Sequence, residues 1–318
     1  MEKSKKIYVA GHKGMVGSAI VRKLKENGYL NIVSKTSKEL DLRNQNNVYN
    51  FYKNEKPDIV INAAARVGGI LANFQYPFQF IMDNLQIQNN LIDGALKNGV
   101  NKFIFLGSSC IYPKFAPQPI KESYLLSDVL EPTNEWYAIA KISGLKLCEA
   151  IRKQFGKEYI SLMPTNLYGP NDNFDLETSH VLPAMIRKFH EAKENNDPFV
   201  NLWGTGTVMR EFLHVDDLAS AVFYSIENKF PEGMYNIGTG NDISIKDLAL
   251  TVQKIVNYKG KIFWDKTKPD GTPRKLLDVS KIRKLGWEYN IKLEDGIKNT
   301  YSWFLKNISN IKKIKIDR

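Results

Sequence analysis

Gly11-His12-Lys13-Gly14-Met15-Val16-Gly17 is the stretch that decides the fold. It follows an apolar run at 6–10 that is typical of a buried strand, and it leads into residues 15–27, where apolar side chains recur at helical spacing. Glycines between a strand and a helix let the backbone approach a pyrophosphate at the helix N-terminus. The seven residues therefore predict a dinucleotide site; the alternative is a tight glycine turn without a ligand.

The first half of the chain continues as alternating strands and helices. Seven further segments fit the alternation: short apolar runs at 31–35, 58–62, 102–107 and 159–163, and helical patterns at 45–54, 79–98 and 137–155. Such alternation predicts an α/β fold with a doubly wound parallel sheet.

The second half has a looser pattern, rich in loops after Pro164. Helical spacing resumes at three places, near 183–195, 217–227 and 244–257. We predict that residues 1–165 form a nucleotide-binding domain with a return segment near 211–241, and that 166–318 form mainly a smaller α/β substrate-binding domain. No long linker separates the two, so a ligand is expected in the cleft between them.

Composition indicates a folded, soluble protein. The 318 residues are 43% hydrophobic and 25% charged, near the average for globular chains. The formal charge is +11, but apart from 311–315 the basic residues are spread along the chain, so we expect no nucleic-acid partner and at most attraction of polyanionic small molecules. The apolar run near the start is too short for a signal peptide or a membrane span, which favours a cytoplasmic protein without a membrane partner.

The two cysteines, Cys110 and Cys148, have no partner spacing typical of a metal site or a disulfide scaffold. We expect both to be thiols and expect no bound metal. A lone cysteine or histidine is usually structural. We apply that interpretation to Cys148, His190 and His214.

The loop after the second predicted strand bears on the choice of cofactor. An NAD site usually carries an acidic residue there to bind the ribose hydroxyls. This chain has Ser34-Lys35-Thr36-Ser37-Lys38 instead. Lysine charge and hydroxyl donors suit an additional 2′-phosphate, so Lys35, Ser37 and Lys38 predict NADP(H). Asp41 and Leu42, just beyond, are expected to contact the adenine.

Tyr137 and Lys141 are four residues apart and should share one face of a helix. A lysine cation near a phenol is expected to lower the phenol pKa, so that it exchanges a proton near neutral pH. Ser108, after the fourth strand, can hydrogen-bond both a substrate carbonyl and the tyrosine. The three residues predict a carbonyl reductase.

These residues, taken with four later motifs, make the chain similar to the extended short-chain dehydrogenase/reductase family, and within it to the GDP-L-fucose synthase group. The motifs are Ala65-Arg66-Val67-Gly68-Gly69-Ile70, Gly107-Ser108-Ser109-Cys110-Ile111-Tyr112-Pro113, Pro164-Thr165-Asn166-Leu167-Tyr168-Gly169-Pro170 and Met209-Arg210-Glu211-Phe212-Leu213-His214-Val215-Asp216-Asp217. The resemblance covers nearly the whole chain. It implies a Rossmann-type sheet and a homodimer, and our hypothesis is that the helices that begin near Gln79 and Tyr137 pair with their symmetry mates in a four-helix interface.

The resemblance also implies a reaction: epimerisation at C3 and C5 of GDP-4-keto-6-deoxy-D-mannose, followed by NADPH reduction of the C4 ketone. Cys110 and His180 take the two proton-transfer roles by this resemblance. Their side chains suit that chemistry, since a thiolate and an imidazole both transfer protons near neutral pH.

Further contacts follow from the resemblance. The nicotinamide side is expected to be lined by Leu106, Ser109, Lys141, Pro164, Asn166, Leu167 and His180. The GDP-sugar is expected to contact Lys188, Trp203, Arg210, Asp270 and Lys275. One position departs from the family pattern: Ser37 stands where many relatives have an arginine, which weakens the expected preference for NADP(H) over NAD(H).

Other functions remain possible on this scaffold. One alternative is a C4 reductase without epimerase activity, acting on a related GDP-4-keto sugar such as a heptose. A non-enzymatic alternative is an NADP-sensing regulator, which would not need Tyr137 and Lys141. A 4,6-dehydratase is disfavoured because Ser109-Cys110 stands where an acidic pair is expected, and a 4-epimerase would have no need of Cys110 and His180 together.

Overall fold

The computed structural model describes residues 2–268 and 270–310, so the predicted basic segment at 311–315 lies outside the described residues. The strands are β1 Ile7–Ala10, β2 Ile32–Val33, β3 Ile59–Asn62, β4 Lys102–Leu106, β5 Glu158–Pro164, β6 Asn166–Tyr168, β7 Phe199–Trp203, β8 Met209–His214, β9 Met234–Ile237, β10 Asp242–Ser244, β11 Lys261–Asp265 and β12 Arg274–Lys275. The α-helices are α1 Met15–Glu26, α2 Gln45–Glu55, α3 Ile70–Gln75, α4 Pro77–Lys97, α5 Glu135–Phe155, α6 Val181–Glu194, α7 Val215–Glu227, α8 Ile245–Val256, α9 Ser280–Lys284 and α10 Leu293–Asn307. Within these residues, no helix has the length and apolar character needed to cross a bilayer.

Six strands form one parallel sheet in the order β2-β1-β3-β4-β5-β9. All four residues of β1 and of β3 are buried, without the alternation of a half-exposed strand. Such continuous burial is typical of a parallel sheet covered by helices on both faces. The predicted doubly wound α/β fold is confirmed.

The helices complete this unit in two groups. α1 packs against α7, whereas α4 packs against both α2 and α5. The chain reaches β2 from β1 and then returns past β1 to β3, so the direction of strand addition reverses at β1. A crevice forms at such a reversal, beyond the carboxyl ends of the strands, and it is where ligands bind in open α/β sheets.

The second half contains more strands than the helical patterns predicted. β8 lies at the centre of a small sheet with β10, β12 and β6, and β7 pairs with β11 in a separate two-stranded sheet. A second hydrophobic core, which includes Phe174, Phe189 and Phe304, fills this part. α7 and β9 return to the first core, where Leu218 and Tyr235 are buried.

Candidate active site

Three of the predicted site residues lie just beyond the carboxyl ends of strands in the six-stranded sheet. Gly11 follows β1, Ser108 lies two residues beyond β4, and Asn166 lies two residues beyond β5, at the start of β6. Because these strands are parallel, their carboxyl ends meet at a single edge. The fold therefore brings together residues that lie more than a hundred positions apart in the sequence.

Two positions of the glycine loop, Gly11 and Gly17, leave no room for a side chain. Gly11 has a φ of 80°, and a Cβ on it would lie 2.8 Å from the backbone of Ala63 and Ala64. A Cβ on Gly17 would collide with the Gly11 carbonyl. Within α1, which the structure describes completely, no side chain caps the N-terminus and the first turn has no acidic residue. The first-turn N–H groups thus fit a pyrophosphate.

The turn predicted to bind the 2′-phosphate is held by an acidic residue that the sequence analysis did not single out. The Glu39 carboxylate accepts hydrogen bonds from Thr36 N at 2.8 Å and Thr36 Oγ1 at 2.6 Å. Hydrogen bonding by Thr36, together with the charges of Lys35 and Lys13, lowers the pKa of Glu39. Ser37 and Lys38 are exposed on this turn. The turn is therefore rigid and basic, although Glu39 offsets part of its charge.

The expected adenine contacts are held by hydrogen bonds within the protein. The Asp41 carboxylate accepts from Nε and Nη2 of Arg43 at 3.0 and 2.9 Å, and this pairing lowers the pKa of Asp41. The side chain of Asn90 donates to the Leu42 carbonyl at 2.9 Å. Asp41 and Leu42 are thus fixed in place, and their contact with adenine stays a prediction.

Ser108, Tyr137 and Lys141 are brought together by β4 and α5. The Ser108 hydroxyl hydrogen-bonds the Tyr137 phenol, and it also accepts from the backbone N–H of Cys110 at 3.1 Å. The Lys141 ammonium is buried and donates to the carbonyl of Leu106 at 2.8 Å. The triad is therefore assembled around a phenol that already has a hydroxyl partner.

The predicted effect of Lys141 on the Tyr137 pKa is wrong for this structure. Burial raises the pKa of Tyr137 above its ordinary value, and the neighbouring Cys110 raises it further. Burial also lowers the pKa of Lys141 to about 8. The ammonium lies 5.8 Å from the centre of the tyrosine ring and is directed to a carbonyl, so desolvation outweighs its attraction for the phenolate. Tyr137 is consequently protonated at neutral pH, which suits a proton donor.

Cys110 lies between the predicted reductase residues and the predicted substrate residues. It is a free, half-buried thiol within electrostatic range of both Tyr137 and the Arg210 guanidinium. Burial lowers the pKa of Arg210, and the charges of Asp270, Cys110 and Glu131 oppose that effect. A thiol beside a cation and a phenol is placed for proton transfer to or from a bound ligand.

His180 is the N-cap residue of α6, and its side chain does not cap the helix. The residue as a whole is exposed, and desolvation by the surrounding protein lowers the pKa of its imidazole. The loop before it reaches the reductase residues through Gly68 and Gly69: a Cβ on Gly69 would lie 3.0 Å from the Ser179 carbonyl, and one on Gly68 would lie 3.2 Å from Phe80. The Phe80 ring in turn packs edge-on against Tyr137.

Two of the predicted substrate residues, Lys188 and Trp203, lie side by side. The Lys188 ammonium is 5.9 Å from the Trp203 ring centre, and it donates to the Asn201 carbonyl at 3.2 Å. Lys268, which the sequence analysis missed, is 5.6 Å from the same ring. The indole is exposed by 56%, so it presents an aromatic surface flanked by two cations. Only the folding of β7 beside α6 and beside Lys268 reveals this grouping.

Arg210, Lys275 and Asp270 meet along β8. Lys275 on β12 pairs with Arg210 on β8 in parallel register. The Asp270 carboxylate accepts from Thr205 N at 2.7 Å and Thr205 Oγ1 at 2.8 Å. Asp270 therefore closes the turn after β7, and each of its oxygens keeps a lone pair for a ligand donor.

Comparisons with known proteins bear on this geometry. Residues 7–238 match the NAD dependent epimerase/dehydratase family. The chain belongs to that family. It is 59% identical over 309 residues to GDP-L-fucose synthase 1 of Arabidopsis thaliana, covering 97% of this chain and 96% of that protein.

Two solved structures are similar as well. One is a GDP-6-OMe-4-keto-L-xylo-heptose reductase from C. jejuni, with a TM-score of 0.92 and 40% identity over 96% of this chain and 99% of that one. The other is an NADP-bound GDP-L-fucose synthetase from Naegleria fowleri, with a TM-score of 0.90 and 29% identity over 98% of each chain. The predicted resemblance to the family and to GDP-L-fucose synthases is confirmed.

The segment predicted to line the nicotinamide after β5 is hydrogen-bonded to β8. Asn166 donates through its side chain to the Glu211 carbonyl at 2.8 Å, and Thr165 Oγ1 donates to the same oxygen at 3.3 Å. The fully buried Glu211 carboxylate accepts from the backbone of Thr239, Gly240 and Leu277. Leu106, Ser109 and Pro164 are buried nearby in the sheet edge, and Leu167 is half-buried. Their contacts with a nicotinamide stay predictions.

Three residues interpreted as structural are buried in the two cores. Cys148 is fully buried and free, and burial raises the pKa of its thiol to about 12. His190 Nδ1 lies 3.1 Å from the Tyr301 hydroxyl. His214 is buried and accepts the backbone N–H of Asp216 at 3.2 Å, capping α7. The structure thus separates these three from Cys110 and His180.

Asp172 is an unusual carboxyl group that the sequence analysis missed. Its Oδ1 accepts from Asn173 N at 2.7 Å, whereas its buried Oδ2 has no hydrogen-bond partner among the described residues. Burial raises the pKa of Asp172 to about 7. Since an ordinary carboxyl has a pKa near 4, ionisation stabilises the unfolded chain relative to the folded one as the pH rises from about 4 to about 7.

We therefore expect Asp172→Asn to stabilise the protein in a pH-dependent way. The amide keeps the shape but never ionises, so its gain in thermal midpoint over the parent should grow from pH 4 to pH 7 and stay level above. Thermal unfolding across this range measures the effect, with exposed Asp128→Asn as the control. A gain that is constant with pH, or largest at low pH, would contradict the assignment.

Proposed function

We propose that this protein epimerises C3 and C5 of GDP-4-keto-6-deoxy-D-mannose and then reduces the C4 ketone with NADPH, giving GDP-L-fucose. The observation that carries the proposal is the grouping of Ser108, Tyr137, Cys110 and Arg210 at one sheet edge. This set combines a protonated phenol for reduction with a thiol for proton transfer at carbon. Similarity to the Arabidopsis synthase and to the NADP-bound Naegleria enzyme supports the substrate and the cofactor.

Reduction uses the phenol and its neighbours. The glycine loop would hold NADPH, whose chemistry when bound would be hydride supply to the ketone carbon. Tyr137 donates the proton to the carbonyl oxygen, because its raised pKa keeps it protonated. Ser108 donates a second hydrogen bond to that oxygen. Lys141, buried beside the phenol, contributes positive charge as the phenolate forms.

Epimerisation uses two groups on different elements. The protons at C3 and C5 are acidic because each carbon neighbours the ketone, so one group removes the proton and another returns one to the opposite face. Cys110 on the β4 loop and His180 at the start of α6 supply these two roles. A lowered pKa leaves the His180 imidazole neutral at pH 7, able to accept a proton.

The residues predicted to contact the substrate fit the chemistry of a nucleoside diphosphate. Lys188, Arg210 and Lys275 supply cations for the diphosphate, and Trp203 offers its exposed ring for stacking. Burial lowers the pKa of both Lys188 and Arg210, which indicates cations held partly out of water. Charge–charge attraction is stronger there than on an open surface.

A second candidate is a reductase that acts only at C4 of a GDP-4-keto-heptose. The similarity to the C. jejuni heptose reductase favours this candidate, because the match covers 96% of this chain and 99% of that protein. Cys110 and His180 favour the bifunctional reaction, since a reductase alone needs neither proton-transfer group. An NADP-sensing regulator would bind the cofactor without turnover.

One experiment separates these functions. The purified protein is mixed with NADPH and GDP-4-keto-6-deoxy-D-mannose in D₂O, NADPH loss is followed by absorbance, and the product is identified by NMR. GDP-L-fucose with deuterium at C3 and C5 supports the proposal. NADPH oxidation to an unepimerised sugar, or only with a pre-epimerised or heptose substrate, would establish the C4 reductase. Binding without oxidation would favour the regulator.

We also propose a homodimer built on α4 and α5. Three large apolar side chains, Trp136, Ile139 and Leu147, lie along one exposed stripe of α5. Phe78 and Met82 are exposed on the neighbouring α4. Two such helices in each of two copies would form a four-helix interface, which covers apolar surface that is otherwise in water.

Leu147→Lys should break this interface. A lysine on the stripe would place a charge in an apolar contact between copies, so we expect a dimeric parent and a monomeric variant by light scattering at micromolar concentration. Leu250→Lys on α8, which replaces an exposed leucine outside the stripe, should stay dimeric. A monomeric parent would contradict the proposal.

A cytoplasmic location, without nucleic-acid or membrane partners, completes the proposal. The two free thiols, Cys110 and Cys148, are compatible with a reducing compartment. Fractionation of cells that express the tagged protein would test the location, and recovery with the membrane pellet would contradict it.

A further inference from the structure

The segment that leads into α6 is a hydrogen-bonded turn ending at His180. Asp175 Oδ1 accepts three hydrogen bonds, from Glu177 N at 3.1 Å, Thr178 N at 3.1 Å and Thr178 Oγ1 at 3.0 Å. Ser179 N donates to the Asp175 carbonyl at 2.9 Å. One residue therefore binds each of the three positions that immediately precede His180.

Thr178 closes the turn from the other side. Its hydroxyl donates to Asp175 and accepts from the side chain of Asn173 at 3.0 Å. Asn173 Oδ1 accepts from Asp175 N at 3.0 Å. The side chains of Asn173, Asp175 and Thr178 thus form one continuous hydrogen-bond network. This network restricts the backbone conformations of the segment more than any single hydrogen bond would.

The network is fixed to the rest of the protein at both ends. The Phe174 side chain, between two network residues, is fully buried in the second core, with its ring centre 4.8 Å from that of Phe304. Gly69 N donates to the Thr178 carbonyl at 3.1 Å, which joins the segment to the loop after β3. At the far end, the His180 carbonyl accepts from Ala184 N at 3.1 Å, the first turn of α6.

The imidazole itself is left out of this network. The main chain on either side of His180 is restrained, while its side chain does not cap the helix and the residue is exposed. A proton-transfer group needs this combination, because the reacting atom must be held close to its target while the ring keeps its nitrogens for chemistry.

We propose that Asp175 and Thr178 are positioning residues for His180, setting where its imidazole meets the C3 and C5 protons. The inference rests on the proposed function, in which His180 transfers a proton during epimerisation. Ketone reduction depends on Tyr137, Ser108 and Lys141, which belong to other elements. Loss of the network should therefore slow epimerisation selectively.

Thr178→Val and Asp175→Ala test the proposal. The valine keeps the shape of threonine without its hydroxyl, and the alanine removes the acceptor of three hydrogen bonds. We expect both to lower the rate of deuterium incorporation at C3 and C5 by about tenfold or more, because small misplacements of a reacting group have effects of this size. NADPH oxidation with a pre-epimerised keto sugar should stay within about twofold of the parent.

Two conservative variants test whether the lost exchange rate can be restored. Thr178→Ser keeps the hydroxyl, and Asp175→Asn keeps a carbonyl oxygen that can accept the same donors. Both should restore most of the exchange rate. Glu177→Gln is the matched control, since Glu177 is exposed on the same turn and joins the network only through its backbone N–H.

The outcomes separate failure of the inference from failure of the proposed function. If the disrupted variants lost deuterium exchange and ketone reduction to the same extent, and their thermal midpoint fell, the network would have only a structural role. That result would overturn the inference. Unchanged exchange in Thr178→Val and Asp175→Ala would overturn it as well. A parent that reduces the pre-epimerised sugar but never incorporates deuterium would overturn the proposed epimerase function instead.

A measurement without substrate tests the positioning directly. The imidazole resonances of His180 can be assigned by their loss in His180→Gln. Asp175→Ala and Thr178→Val should shift or broaden them, whereas Asp175→Asn and Glu177→Gln should not. Unaltered His180 resonances in both disrupted variants would overturn the inference even if epimerisation is absent from the parent.

Discussion

Tyr137→Phe should lower NADPH oxidation by about 10³-fold, within the range that general acid catalysis contributes. The phenol is the protonated donor at the sheet edge, hydrogen-bonded to Ser108 and held beside the buried Lys141. Phenylalanine keeps the ring that packs against Phe80 and removes only the hydroxyl. Stopped-flow absorbance with a pre-epimerised keto sugar measures the effect.

The same variant should still exchange deuterium at C3 and C5, because that step uses Cys110 and His180. Its thermal midpoint should stay close to that of the parent. An unchanged midpoint would show that the loss of activity is not caused by unfolding. If the variant kept more than about a tenth of the parent's oxidation rate, Tyr137 could not be the main proton donor.

Cys110→Ser should lower deuterium incorporation at C3 and C5 by about 10²-fold or more. Serine has nearly the same size, but its hydroxyl does not ionise near neutral pH, so it cannot act as the base that a thiolate can. Reduction of a pre-epimerised substrate should continue. NMR of the product and absorbance of NADPH give the two rates separately.

The second cysteine provides the matched control. Cys148 is buried in the first core, away from the cleft, and Cys148→Ala should leave deuterium incorporation unchanged. Equal incorporation in the parent and in Cys110→Ser would remove the thiol from the mechanism. If neither protein incorporated deuterium, the C4 reductase would become the better account of this chain.

The fold of the first half could be predicted from the sequence because the signals for its strands and helices are local. A strand, the glycine loop 11–17 and a helix are consecutive in the chain, and the spacing of Tyr137 and Lys141 requires only one helical turn. The second half was less predictable. Its strands are short, and β6, β10 and β12 have three residues or fewer, too few for a period of two to stand out from a loop.

Electrostatics at the site was the least predictable property. From sequence, a lysine four residues from a tyrosine should lower the phenol pKa, yet burial of the Tyr137 side chain raises it. Similarly, nothing in the local sequence marks Asp172 as a carboxyl with a raised pKa. Desolvation depends on every chain segment that surrounds a group, and those segments come from distant parts of the sequence.

By itself, the sequence determined the parallel α/β sheet, the glycine loop at its edge and the presence of a tyrosine, lysine, serine, cysteine and histidine suited to reduction and proton transfer. Each of these follows from residue type and short-range spacing. Only the tertiary structure decided how burial shifts the pKa values of Tyr137 and Lys141, that Cys110 lies in range of both Tyr137 and Arg210, and that Gly69 joins the segment before His180 to the loop after β3. Protonation and positioning are set by packing between segments, because burial and hydrogen-bond geometry exist only after those segments meet.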